Sequence, residues 1–65
     1  MNKQYFTELL AALTLAYMIE RATGVNQRII IKTLFKRARY LGVSNNCLLK
    51  CDLRSHKISY NYYSN

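Results

Sequence analysis

Residues 28–54 read RIIIKTLFKRARYLGVSNNCLLKCDLR, and this stretch decides the fold. Its Ile29-Ile30-Ile31 triplet is β-branched and taken alone suits a strand. The longer pattern overrides that local preference. Ile30, Ile31, Leu34, Phe35, Ala38 and Leu41 recur at helical spacing and predict a helix over about 27–41 with an apolar inner stripe. Arg28, Lys32, Lys36 and Arg39 fall between them as a basic ridge, with Arg37 nearby. Gly42 breaks this helix. Ser44 can cap another over about 45–54, with Leu48 and Cys51 inward and Leu49 or Leu53 partly so.

Toward the N-terminus, residues 4–23 are rich in Leu, Ala, Met, Glu and Gln, all of which favour helix. Phe6, Leu9, Leu10, Leu13, Ala16 and Tyr17 follow one stripe, and Ala12, Leu15, Met18 and Ile19 carry apolar surface round to the other side. A helix apolar nearly all round is buried nearly all round. The rest of a short chain covers one side only. The expectation is a partner helix over 1–23 that meets a second copy or another protein, with Phe6, Leu9, Leu10, Leu13 and Tyr17 as its interface. Gly24 supplies the left-handed cap that ends it, and Asn26 can cap the next helix. Toward the C-terminus, Ile58, Tyr60 and Tyr62 alternate with Lys57, Ser59 and Asn61, which reads as a short extended or β arm over 56–65. The fold expected is mainly α: one small domain of three helices, a helix-turn-helix-like pair over 26–54, and that tyrosine-rich tail.

A chain of 65 residues forms one domain and buries only about 60% of the surface it exposes when unfolded. Its charge is unevenly placed. Lys3, Glu8 and Glu20 leave residues 1–20 at −1, whereas nine basic side chains against Asp52 leave residues 21–57 at +8. An apolar, near-neutral front and a strongly basic back point to a polyanionic partner. A solvated helix normally interleaves Glu with Lys, and here acids are scarce. Cys47 and Cys51 are one helical turn apart, a spacing that rarely satisfies disulfide geometry. With His56 as the only other soft ligand nearby, they read as reduced thiols in a cytoplasmic protein rather than as a metal site.

Enzyme chemistry finds no foothold. The single histidine has no serine or carboxylate pattern to form a triad, three scattered acids make no paired-carboxylate site, and no glycine-rich phosphate loop is present. No cofactor is expected. The apolar run Leu9–Ile19 spans about 16 Å as a helix, too short for a bilayer, and it carries no basic leader or small-residue cleavage site.

The segment from Lys36 to Lys57, KRARYLGVSNNCLLKCDLRSHK, resembles the helix-turn-helix of DNA-binding regulators of the Fis type. Ala38 stands where the two helices touch, Gly42 at the turn, Leu41 and Val43 beside it, and Leu48 and Cys51 at the buried positions of the second helix. Arg37 stands where the family has an apolar residue, and Leu49 and Leu53 where it faces DNA. The resemblance covers about a third of the chain. It implies that Ser44, Asn45, Asn46 and Lys50 meet base edges, where Asn pairs with adenine and Lys reaches guanine. Arg28, Lys32, Lys36, Arg37, Arg39, Arg54 and Lys57 would follow the phosphate backbone. The functional expectation is a dimeric DNA-binding regulator or architectural factor. The alternatives are an effector, of the kind phages and plasmids encode, that inhibits or recruits a host protein complex, and an RNA-binding or ribosome-associated protein. Tyr60, Tyr62 and Tyr63 suit base stacking or, more plainly, packing of the tail.

Overall fold

The computed structural model describes residues 3–64. The described residues form three helices: α1 over Lys3–Thr23, α2 over Arg28–Tyr40 and α3 over Asn45–Ser64. The first two match the periodicity of the sequence to within a residue or two. The third runs ten residues past the expected end at Arg54, and no strand occurs among the described residues.

The tail is therefore corrected from an arm to a helix, for a definite reason. Leu48, Cys51, Ser55 and Ser59 recur at spacings of three, four and four, and all four are buried. The two serines complete a helical inner stripe that hydropathy does not reveal. Their small size lets α1 approach closely, and their hydroxyls are satisfied. Ser55 Oγ donates to the Asp52 carbonyl at 2.7 Å, and Ser59 Oγ accepts from Arg21 Nε at 2.8 Å. A buried hydroxyl is tolerable only on such terms.

Tyr17 of α1 meets Asp52 and His56 of α3, and one turn later Arg21 meets Ser59 and Tyr60. The two long helices thus run in the same direction, with α2 returning between their ends. Their interface is the main body of the core: Leu9, Leu13, Ala16 and Tyr17 on one side, Leu48 and Cys51 on the other. The face of α1 expected to meet a partner is thus turned onto the chain's own third helix. Leu9, Leu13 and Tyr17 are buried there, with Phe6 and Leu10 packed beside them. The outward side of α1 carries Ala11, Leu15, Ile19 and Ala22.

Helix α2 is anchored more thinly. Only Ile31 and Ala38 are buried, with Leu34 and Phe35 half-buried. Ile30 and Leu41, expected in the inner stripe, are exposed. Both ends of α2 are well defined nonetheless. Glu20 Oε1 accepts the Gln27 N–H at 2.8 Å, and Asn26 Oδ1 accepts that of Arg28 at 2.6 Å, so two orphan donors at the helix start find oxygen partners. At the other end Gly42 takes φ +90°. The Val43 N–H reaches the Ala38 carbonyl and the Gly42 N–H that of Arg39, each at 3.0 Å. This is a Schellman motif, sealed by the buried Ala38 and Val43 side chains. Ser44 Oγ then accepts the Cys47 N–H at 3.2 Å and starts α3. Among the described residues, no helix is long and apolar enough to cross a membrane.

Candidate nucleic-acid interface

Helical geometry sets out the cations of α2. At 3.6 residues per turn, Arg28, Lys32, Lys36 and Arg39 fall within about 80° of arc along one flank. All four are exposed. Arg37 is exposed as well but lies round the other side of the helix, apart from this ridge. On α3, Lys50, Arg54 and Lys57 form a second exposed group within about 60° of arc.

The carboxylates do little to neutralise these cations. Glu20 takes the Gln27 amide. Asp52, the one acid of the basic half, accepts a short hydrogen bond from the Tyr17 hydroxyl. His56 stacks on the Tyr17 ring with centroids 3.7 Å apart and brings Nε2 within 3.8 Å of Asp52 Oδ1. Among the described residues no Lys or Arg side chain is paired with a carboxylate. The Tyr17 phenol is held well above its ordinary pKa, first by burial and then by the Asp52 hydrogen bond and charge. Burial likewise pushes the Cys51 thiol up, with the neighbouring Cys47 adding to it. A thiol so placed is a packing element rather than a nucleophile. Neither Cys47 nor Cys51 is in a disulfide among the described residues.

Of the residues expected to read bases, two have local work. Ser44 caps α3, and Asn45 Oδ1 lies 3.4 Å from Arg39 Nε across the mouth of the α2–α3 groove. Asn46 and Lys50 are exposed on α3. The groove itself has a volume of about 410 Å³ and is lined by Phe35, Arg39, Asn45, Leu48, Leu49 and Asp52. Leu49 and Leu53 point outward, 60% and 68% exposed, so neither joins the core.

The structure thus brings Arg28, Lys32, Lys36 and Arg39 together and leaves Arg37 apart. Arg54 and Lys57 sit on α3 with Lys50. Sequence reasoning missed the Tyr17–Asp52–His56 cluster and the Arg21–Ser59 bond beside it. Asp52 and His56, one helical turn apart, were the available signal for the cluster. The chain matches no family model and no curated protein in sequence, and no solved structure in fold.

Proposed function

We propose that this chain is a small, non-enzymatic nucleic-acid-binding protein that docks on duplex DNA as a dimeric regulator or architectural factor. The observation that carries the reading is the α2 ridge: four exposed cations along one flank, none paired with a carboxylate. Such a row gains by meeting phosphates, because each contact releases condensed counterions. The helix-turn-helix resemblance adds support. Ala38, Val43, Leu48 and Cys51 are buried and Gly42 is left-handed, as that pattern asks. In this reading Arg28, Lys32, Lys36 and Arg39 hold the backbone, with Arg54 and Lys57 as outer phosphate contacts. Asn46 and Lys50 are left free to meet base edges. The setting is a cytoplasmic one.

The test is a salt titration of binding to duplex DNA and duplex RNA, read by fluorescence anisotropy. Four phosphate contacts predict an affinity loss of roughly a hundredfold between 50 and 200 mM salt. Lys32→Gln with Lys36→Gln should weaken binding to every sequence and lower the logarithmic salt slope by about two. Tighter binding to RNA would move the protein to the ribosome-associated or RNA-binding class. Absence of binding to either would turn attention to a protein partner, the effector reading. That second reading draws on the exposed Leu15 and Ile19 of α1 and Leu49 and Leu53 of α3.

A further inference from the structure

The outward side of α3 has a pattern of its own. Asn46, Leu49, Leu53, His56, Tyr60 and Tyr63 recur at spacings of three, four, three, four and three, and all six are exposed. This is the a/d alternation of a heptad, with Asn46, Leu53 and Tyr60 at a and Leu49, His56 and Tyr63 at d. We propose that this seam is a self-association site, and that two copies pair through parallel α3 helices in register.

Size and exposure favour α3 over the other free helical face. On α1 the outward positions are Ala11, Leu15, Ile19 and Ala22, two of them alanines. They offer little area to a partner. On α3 the leucines and tyrosines are large and exposed, although Arg21 reaches over the Tyr60 ring and Tyr17 stacks on His56 along one edge of the strip.

Charge selects the occupant and its direction. Lys50 and Lys57 flank the seam at the e positions, and Asn45 and half-buried Asp52 at g, while the third g position, Ser59, is buried against α1. In a parallel pair each g residue faces the e residue five positions on in the other helix. Asp52 then meets Lys57 of the second copy, and Asn45 meets its Lys50. Tyr17 and His56 both address Asp52 Oδ1, which leaves Oδ2 as the oxygen for the second copy's lysine. An antiparallel pair would instead set lysine against lysine. Asn46 at an a position also favours two strands in register, since each Asn can bond its counterpart. Two heptads are few for an isolated coiled coil. Here α3 is already folded against α1, so the nucleation and ordering costs fall on the domain rather than on the pairing.

The proposal stands on the geometry of α3 and does not depend on nucleic-acid binding. If both hold, the α2 ridges stay open on the two copies, and Asn46, held at the seam, no longer serves as a base contact.

Sedimentation of the full chain over a concentration series tests it. A monomer–dimer equilibrium is expected. Leu53→Lys should weaken it by about tenfold or more, through burial of an unpaired charge at the seam, while helicity and thermal midpoint of the dilute chain hold. Leu15→Lys on α1 should leave it unchanged. Tyr63→Cys, placed at the end of the seam, should form an interchain disulfide on mild oxidation, because only a parallel pair brings those ends together. A chain monomeric at every concentration would overturn the proposal. So would a dimer broken by Leu15→Lys but not by Leu53→Lys. A dimer with no Tyr63→Cys crosslink would overturn the parallel register.

Discussion

Helices α1 and α2 solve the same problem with opposite means. Helix α1 holds its place by burial: Leu9, Leu13, Ala16 and Tyr17 are locked against Leu48, Cys51 and two buried serines of α3. Helix α2 buries only Ile31 and Ala38 and relies on its ends, where Glu20, Asn26 and the Gly42 turn satisfy backbone groups. The contrast teaches where stability is housed and where surface is left open. The α1–α3 pair carries the free energy of folding. Helix α2, thinly packed and richly charged, is free to face a partner.

The harshest way to break the comparison is to open the α1–α3 core. A 65-residue chain has roughly 3–10 kcal/mol of stability at typical per-residue values. Leu13 is fully buried, and Leu13→Ala should cost about 3 kcal/mol or more through lost transfer energy and the cavity left behind. A thermal melt should show the midpoint falling by roughly 12 °C or more for a domain this small. Ile31→Ala on α2 should cost less, about 2 kcal/mol, because its surroundings can close in. Equal losses would mean that α2 is as tightly built in as α1.

Close approach of α1 and α3 at Ser55 gives the next test. The side chain has no exposed surface, so Ser55→Leu adds two heavy atoms where no room exists. Overpacking of this kind costs about 1–3 kcal/mol. Ser55→Ala should cost less, since its hydroxyl bonds only within its own helix turn. Chemical denaturation of the two variants separates shape from hydrogen bonding.

Tyr17 sharpens the same interface through its proton. Burial and Asp52 raise its folded pKa above the ordinary value of 10.0. The neutral phenol is the form the fold prefers. Below pH about 10 both folded and unfolded chains hold the proton and the contribution is complete. Above it the unfolded chain ionises first, so stability falls as pH rises through the alkaline range. Cys51 adds a slope of the same sign from its own ordinary value upward. Tyr17→Phe should cost about 1–2 kcal/mol near neutrality, by removing the bond to half-buried Asp52, and should flatten the alkaline slope to the share of Cys51. Denaturation midpoints measured from pH 7 to 11 read both effects.

What was legible in the sequence follows the same division. Helices α1 and α2 and the turn between α2 and α3 could be read from apolar spacing, Gly24, Gly42 and Ser44, because each signal is local. The length of α3 could not. Its inner stripe passes from Leu48 and Cys51 to two polar residues, Ser55 and Ser59, while Ile58, Tyr60 and Tyr62 alternate as in a strand. Only the arrival of α1 against the serines decides between these patterns. The interface face of α1 failed for a related reason. A helix apolar on both sides does not say which side its own chain will cover. The α2 ridge was legible because charge spacing alone defines it. The α3 seam was hidden while the tail was read as extended.

The smallest effect is expected at Ile29, and it is the most direct probe of how α2 is held. Ile29 is 82% exposed on the outward side of α2, two positions from the buried Ile31. If α2 is fixed by Ile31, Ala38 and its capped ends, the outward isoleucine contributes almost nothing. Ile29→Lys should then change stability by no more than about 0.5 kcal/mol, the usual range for surface sites. The change also replaces a β-branched residue by a better helix former, which offsets any small loss of contact. In a nucleic-acid titration it adds a cation beside Arg28 and Lys32, so affinity should rise while stability holds. A large loss of stability on Ile29→Lys would mean that the outward face of α2 is covered, by a second copy or by another partner. The division between a buried scaffold and an open basic helix would then have to be redrawn.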